Sequence, residues 1–232
     1  MTGRRAPHGP VVLSWSSGKD AAWALHELRR AGADVVGLLT TVNAPARRVA
    51  MHAVRTSLLR AQARAVGVPL HVVALPWPCT NDDYERLMGG AVRTMRDAGV
   101  RHVAFGDLFL EDVRRYREEA MRGTGLDPLF PLWGRDTRAL AAEMQAAGVR
   151  ATVTCVDPRQ APASLAGRPW DAALVAALPP GVDPCGERGE FHTFVSAGPG
   201  FAATVLYEVG EVVLRDERFA YCDLLPLEAG AA

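Results

Sequence analysis

The hydrophobic residues of this chain fall into short continuous runs, separated by longer stretches in which apolar positions recur every three or four residues. Continuous apolar runs bounded by turn residues are typical of buried strands, whereas the three-to-four spacing is typical of amphipathic helices. The continuous runs predict strands at residues 11–14, 34–42, 70–75, 101–107 and 149–156. The stretches between them predict helices at residues 19–31, 51–66, 82–98, 110–122 and 136–147.

This alternation predicts an α/β fold with a parallel five-stranded sheet and flanking helices, because parallel strands are joined by right-handed crossovers that carry helices over both faces. Towards the end of the chain the pattern changes to strands joined by short turns, at residues 203–209, 211–215 and 219–224. These strands predict a smaller C-terminal α+β unit with antiparallel pairing.

Composition and charge exclude several classes of protein. The 26 basic and 26 acidic residues balance, so nothing indicates a nucleic-acid-binding surface or attraction to an anionic membrane. The apolar runs are too short to cross a bilayer, and the first ten residues lack the apolar segment of a secretory signal. Four scattered cysteines without a Cys-x-x-Cys pair predict reduced thiols, no zinc site and a cytoplasmic protein.

The first candidate site is the loop between the first strand and the first helix, Ser14-Trp15-Ser16-Ser17-Gly18-Lys19-Asp20. Small residues before a helix N-terminus leave backbone N–H groups free for a phosphate, and Gly18 is expected to supply a positive φ there. The hydroxyls of Ser14, Ser16 and Ser17 and the charge of Lys19 would add to the binding. The Asp20 carboxylate would repel a bare phosphate. Its presence therefore predicts a Mg²⁺ ion between the carboxylate and the phosphate.

Lys19 is the only lysine among the 26 basic residues, and all the others are arginines. A lone lysine in a phosphate loop of an otherwise arginine-only chain indicates that a compact point charge is needed there, where a guanidinium does not fit. The alternative is an exposed residue in the first turn of a helix.

The loop matches neither a Walker A motif nor a dinucleotide fingerprint. It resembles the Ser-Gly-Gly-x-Asp-Ser PP-loop of ATP pyrophosphatases, which cleave ATP between its α and β phosphates. Ser16, Gly18 and Asp20 match that pattern, whereas Ser17 and Ala21 depart from it.

Further polar residues follow the ends of other predicted strands. Ligands of open parallel sheets bind at these carboxyl ends, which predicts ATP beside Thr40 and Thr41 and an acceptor beside Gly106 and Asp107. The highly charged helix after Asp107 would bring its first turns to the mouth of the pocket, although a solvated face with i,i+4 ion pairs explains some of these charges.

The second candidate site is the loop Asp183-Pro184-Cys185-Gly186-Glu187-Arg188-Gly189-Glu190-Phe191-His192-Thr193. Two carboxylates three residues apart could bind Mg²⁺, hold a cationic substrate or act as a general base, and His192 could transfer protons near neutral pH. An ordinary acidic turn leading into a strand is the alternative. Cys185 is a weaker candidate for a nucleophile, because the sequence places no base beside it.

With both loops in view, the chain resembles the diphthine–ammonia ligase family of PP-loop ATP pyrophosphatases over nearly its whole length. The resemblance rests on residues 14–22, on Phe105-Gly106-Asp107 with Tyr116-Arg117-Glu118, on Pro131-Leu132-Trp133, and on residues 187–193. The last stretch matches a Glu-Gly-Gly-Glu-Tyr/Phe-x-Thr signature, with Arg188 in place of a small residue.

The resemblance implies a HUP-type ATP-binding domain, predicted over residues 1–125, and a smaller acceptor-recognition domain over residues 126–232. It implies ATP and Mg²⁺, with Lys19, Asp20, Glu187 and Glu190 catalytic and Asp20 on the metal. It also implies acceptor binding by Gly106, Asp107, Arg117, Glu118, Glu187, Gly189, Glu190, His192 and Thr193. The reaction would adenylate a carboxylate and transfer ammonia to the product.

Two other functions stay open at this point. The chain could be a nucleotide-binding regulator without turnover, since Ala21 removes a hydroxyl from the loop, or a PP-loop enzyme that modifies tRNA, although it lacks a basic surface excess. The acceptor could be a small molecule or a protein-borne carboxylate. The arginine- and alanine-rich composition resembles that of bacterial proteins. The chain could also form a homo-oligomer.

Overall fold

The computed structural model describes residues 7–215 and 218–227, which form two β-sheets with six α-helices. The strands are β1 Val11–Ser14, β2 Val35–Asn43, β3 Arg48–Val49, β4 Leu70–Leu75, β5 His102–Ala104, β6 Asp127–Leu129, β7 Arg150–Val156, β8 Phe191–Ala197, β9 Tyr207–Arg215 and β10 Phe219–Pro226. The helices are α1 Lys19–Arg30, α2 Thr56–Val66, α3 Asn81–Asp97, α4 Glu111–Met121, α5 Thr137–Ala146 and α6 Ala172–Ala176.

The first sheet has five parallel strands in the order β4-β2-β1-β5-β6, and the short β3 adds antiparallel to the end of β2. Alternate residues of β1 face opposite sides of this sheet. Val11 and Leu13 join the apolar cluster that includes α1 and α2, whereas Val12 joins the cluster formed with α3. The predicted α/β class is therefore confirmed, with helices over both faces.

One strand of the predicted parallel sheet was assigned wrongly. The fifth parallel strand is β6, a three-residue segment containing Pro128, whereas residues 149–156 contribute β7 to the second sheet. Pro128 weakens the strand pattern of this segment. A proline is tolerated in an edge strand because the N–H group that it lacks can be on the side that has no neighbouring strand. A continuous apolar run such as β7 predicts a buried strand without indicating which sheet it joins.

The second sheet is antiparallel, in the order β8-β7-β10-β9. The two strands predicted at residues 203–209 and 211–215 are one continuous strand, β9, which passes through Gly210. Buried residues of both sheets belong to one apolar cluster, and α1 packs against β8. The domain boundary after residue 125 stays a prediction. Within the described ranges, no helix is long and apolar enough to span a membrane.

Candidate functional site

The loop between β1 and α1 has a backbone conformation different from the one expected. Gly18 is extended, with φ −86°, and the positive φ of +71° belongs to Ser17. Gly18 is instead required by close packing, because a Cβ there would lie 2.8 Å from His52 Cε1 and 3.3 Å from the Thr193 carbonyl oxygen. Ser17 stands where the PP-loop pattern has a glycine, which is consistent with its left-handed backbone.

Buried hydrogen bonds hold this loop in place. The Ser17 carbonyl accepts from the Val195 N–H and from Gln62 Nε2, both at 3.0 Å. Gln62 is fully buried and accepts in turn from Trp15 Nε1 at 3.0 Å. Thr40 Oγ1 donates to the Trp15 carbonyl at 2.7 Å. The loop is therefore tied to β2, α2 and β8 before any ligand arrives, which is the preorganisation that a binding site requires.

Lys19, the first residue of α1, is only 2% exposed and joins the two predicted loops. Its Nζ lies 2.8 Å from Asp20 Oδ2 and also donates to the Cys185 carbonyl, while its backbone N–H donates to Thr193 Oγ1 at 3.2 Å. Burial acts to lower the pKa of Lys19, but the charges around the amine, of which Asp20 contributes most, together outweigh it, so the pKa is raised and the amine stays charged.

Three carboxylates on different elements lie close enough to interact. Asp20 Oδ1 and Asp107 Oδ2 are buried without a hydrogen-bond partner, and Asp107 Oδ2 lies 3.6 Å from Arg117 Nε. Burial raises the pKa of Asp107, the Arg117 guanidinium opposes this increase in part, and the Asp20 charge adds to it. The site therefore contains two buried carboxylate oxygens that accept no hydrogen bond, one of which lies within ion-pair distance of Arg117.

Glu187 is the third carboxylate. Its Oε1 accepts from the backbone N–H groups of Leu108 at 2.7 Å and Phe109 at 3.3 Å. Burial raises the pKa of Glu187 to about 7, although the two hydrogen bonds act to lower it. The negative charges of Asp20 and Asp107 add to the increase. A carboxyl group that titrates near neutral pH can take up or release a proton during catalysis.

Glu190 has a different environment from Glu187. It is 2% exposed, and its two carboxylate oxygens accept from the backbone N–H groups of Asp183 and Arg188, both at 2.9 Å. These bonds close the turn that presents Glu187. At Gly186 in the same turn, φ is +68° and a Cβ would lie 2.5 Å from the Phe191 carbonyl oxygen. In this geometry Glu190 shapes the loop, whereas Glu187 faces the cavity.

A histidine pair lies on the other side of the first loop. The rings of His52 and His192 are 4.5 Å apart, and His52 Nδ1 lies 3.0 Å from the Thr193 carbonyl oxygen. Burial lowers the pKa of His52 to about 4 and that of His192 well below its usual value, so both imidazoles are neutral at pH 7. A neutral His52 that donates from Nδ1 leaves Nε2 as an acceptor.

Sequence reasoning missed His52, which lies in an irregular loop between β3 and α2. No periodicity or spacing marks it there. Its place in the connection that follows the second parallel strand, at the carboxyl end of the sheet, is the one sequence signal that could have identified it.

The charged helix α4 has both a solvated face with an i,i+4 ion pair and a residue that reaches the pocket. Glu118 pairs with Arg114 at 2.7 Å on the surface, and no residue of α4 is buried. Arg117 instead turns inward, where its guanidinium lies 4.9 Å from the centre of the Phe105 ring and beside Asp107.

These groups line a cavity of about 940 Å³ at the carboxyl ends of β1, β2 and β5. The structure brings most of the predicted residues to its wall: Ser14, Ser16, Lys19, Asp20, Thr40, Thr41, Gly106, Asp107, Arg117, Glu187, His192 and Thr193. Ser17, Gly18, Glu118, Gly189 and Glu190 do not line it.

The cavity does not contain a complete metal site of protein ligands. Among the residues described, no three His, Cys, Asp or Glu side chains are grouped to hold an ion. Mg²⁺, however, is commonly held by one or two carboxylates together with phosphate oxygens and water. The oxygens of Asp20 and Asp107 that accept no hydrogen bond fit such an ion.

The sequence profile of the diphthamide synthase N-terminal domain matches residues 9–128, more than half of the chain. The chain belongs to the diphthamide synthase family. A diphthine–ammonia ligase of Danio rerio is 27% identical over 246 residues, covering 90% of this chain and 91% of that protein. A diphthine–ammonia ligase of Rattus norvegicus is 28% identical over 142 residues, covering 59% of this chain and 53% of that protein. The match thus spans about half the length of the rat relative.

Proposed function

We propose that this family member is an ATP-dependent ligase that forms a carbon–nitrogen bond, adenylating a carboxylate and transferring ammonia to it. The observation that carries the proposal is the joining of two loops at one cavity. Lys19 at the start of α1 contacts Cys185 and Thr193, and Asp20 and Glu187 face the same space. The two relatives named as diphthine–ammonia ligases support this reaction type.

The first loop would bind the triphosphate of ATP. The N-terminus of α1 offers backbone N–H groups and partial positive charge, and Lys19 adds a full charge held at a fixed position. When the acceptor carboxylate attacks the α-phosphorus, pyrophosphate leaves and negative charge moves onto it. Asp20 and Asp107 would hold Mg²⁺, which supplies charge neutralisation at the phosphates.

The acidic side of the cavity would serve the second half-reaction. Ammonia attacks the acyl carbon of the adenylate, AMP leaves, and the amide nitrogen loses its extra proton. Glu187 would accept that proton, or one from ammonium, because its pKa of about 7 would let it cycle near neutral pH. The Arg117 guanidinium beside Asp107 would orient the acceptor, with Gly106, His192 and Thr193 completing its surroundings.

Product analysis tests the proposal. Purified protein is incubated with Mg-ATP, ammonium and a pool of cellular carboxylates or proteins, and the products are separated by mass. AMP, pyrophosphate and an amide are expected, and the amide identifies the acceptor. ADP and phosphate would refute it, and tight ATP binding without turnover would favour a regulator.

Sulfur transfer to tRNA has less structural support. Cys185, the cysteine nearest Lys19, is buried, and burial raises the pKa of its thiol. A thiol used in sulfur transfer needs the opposite shift and access to solvent.

A further inference from the structure

A short segment between β3 and α2 carries His52 to the cavity, and we call residues 49–54 the His52 loop. His52 Nδ1 lies 3.0 Å from the Thr193 carbonyl oxygen. The His52 ring also packs against Gly18, where a Cβ would lie 2.8 Å from His52 Cε1. Residues 49–52 line the cavity. The conformation of the His52 loop therefore decides where the imidazole stands relative to the loop between β1 and α1.

The His52 loop has a strained backbone on both sides of the histidine. Met51 and Ala53 are both left-handed, with φ of +61° and +56°. A left-handed conformation costs free energy for any residue that has a Cβ, so it persists only where the surrounding structure holds it. Residues strained in this way concentrate at functional sites. We therefore looked for the groups that hold this loop in place.

Two arginines hold the base of the His52 loop. The backbones of Arg48 and Arg55 form an antiparallel bridge across its two ends. Arg48 Nη1 also donates at 2.8 Å to the carbonyl of Ala53, one of the two left-handed residues. The position of these arginines is therefore transmitted directly to the strained part of the loop.

Both arginine side chains bind one carboxylate of the second sheet, Asp223 in β10. Arg55 donates from Nε and Nη2 to its two oxygens, at 3.0 and 2.6 Å, and Arg48 Nη1 donates to Oδ1 at 2.8 Å. Burial acts to raise the pKa of Asp223, but these hydrogen bonds outweigh it, so the pKa is lowered and the carboxylate is ionised. Cys222 and Leu224 on either side are buried, so Asp223 lies on the opposite face of β10.

We propose that Asp223 is a positioning residue for the nucleotide site, because through Arg48 and Arg55 it holds the His52 loop in its strained conformation. Asp223 does not line the nucleotide cavity itself. A bidentate arginine–carboxylate pair fixes geometry as well as adding free energy, and a network of such pairs contributes more than an isolated surface pair. The proposal rests on the proposed binding of ATP in that cavity.

Asp223→Asn tests this role, with ATP affinity measured by calorimetry and the His52 imidazole followed by NMR. The variant should bind ATP about tenfold more weakly, within the range of couplings found in one hydrogen-bond network. The pKa of His52, about 4 because of burial, should rise toward 6.5 as water reaches the loosened loop. Glu143→Gln removes the carboxylate from another partly exposed ion pair, with Arg135. As the matched control, it should change neither quantity.

A double variant separates positioning from a general loss of stability. In a protein that already carries His52→Asn, Asp223→Asn should cause little further loss of ATP affinity, because both changes act through the same imidazole. A full additional loss would overturn the proposal, as would an unchanged ATP affinity or an unchanged His52 pKa in Asp223→Asn alone.

Two further points keep the test decisive. If Asp223→Asn does not fold, Arg55→Gln leaves Asp223 paired with Arg48 and should produce the same changes at smaller size. The titration of His52 needs no ATP. A wild-type protein that does not bind ATP would therefore refute the proposed function, while the His52 pKa in the variants would still decide whether Asp223 positions the loop.

Discussion

Replacing Glu187 with Gln tests the electrostatics of the cavity by measuring stability. The amide has nearly the same shape and keeps an oxygen that can accept from the Leu108 and Phe109 N–H groups. It cannot ionise, so it resembles the protonated carboxyl. The variant therefore removes the charge of Glu187 while retaining its packing and its hydrogen bonds.

The magnitude follows from the pKa of Glu187, which burial raises from 4.5 to about 7. Since the unfolded chain loses this proton near pH 4.5, the stabilisation by the protonated carboxyl is complete below that pH and is lost as the pH rises to 7. At ~1.4 kcal/mol per pH unit the loss approaches ~3 kcal/mol. Partial exposure of the group reduces the expected value to about 1–2 kcal/mol.

Urea unfolding of both proteins across the range from weakly acidic to weakly alkaline pH measures this difference. Near pH 5 the two free energies of unfolding should be similar, and above pH 8 the Glu187→Gln protein should be more stable by about 1–2 kcal/mol. Glu111→Gln removes an exposed carboxylate from α4 and serves as the matched control. A difference independent of pH, or a less stable variant above pH 8, would refute the reasoning. The same variant should lose amide formation, since the proposed base is gone.

Three other substitutions test the remaining parts of the site. Lys19→Arg should lower ATP turnover by at least a hundredfold, because the amine is buried between Asp20 and the Cys185 carbonyl; near-normal turnover would remove this amine from the mechanism. Glu190→Gln puts an NH₂ group against one backbone N–H, so it should destabilise the fold by about 1–3 kcal/mol in urea unfolding; loss of amide formation without loss of stability would indicate a direct catalytic role. His52→Asn keeps a donor for the Thr193 carbonyl but removes Nε2. The affinity for ATP, measured by calorimetry, should therefore fall, while the free energy of unfolding should stay the same. His52→Gln is its control, and equal affinity in all three proteins would show that Nε2 does not contact the nucleotide.

Much of the fold could be predicted because local patterns and tertiary structure agree in the first half of the chain. Four of the five predicted parallel strands lie in the first sheet, where short apolar runs and helical periodicity alternate. The exception is the run at residues 149–156, which forms β7 of the second sheet. The actual fifth parallel strand, β6, is stabilised by its place beside β5 more than by its own sequence, which contains Pro128. Pairing between distant segments, such as β7 with β8 and β10, leaves no signal in a single sequence.

The residue types of the candidate site could be predicted from the sequence, but the role of each residue could not. Glu187 and Glu190 look equivalent in sequence, and each accepts two backbone N–H groups. Glu187 nevertheless lines the cavity, whereas Glu190 bonds to residues of its own turn. Which side chain turns inward depends on the left-handed residue Gly186 and on the contact of Glu187 with the loop after β5. His52 reaches the site through a loop without periodicity.

Two departures of this chain from the family's motifs, Ser17 and Arg188, are accommodated locally, so these two do not weaken the proposed function. Ser17 has a left-handed backbone that costs a non-glycine residue ~1 kcal/mol, but two buried hydrogen bonds to its carbonyl offset that cost. Arg188, in place of a small residue, extends outward and lies 5.1 Å from the centre of the Phe109 ring. Because the Phe109 N–H donates to Glu187, this contact supports the turn that presents the proposed base. The larger side chain therefore packs against the site without entering the cavity.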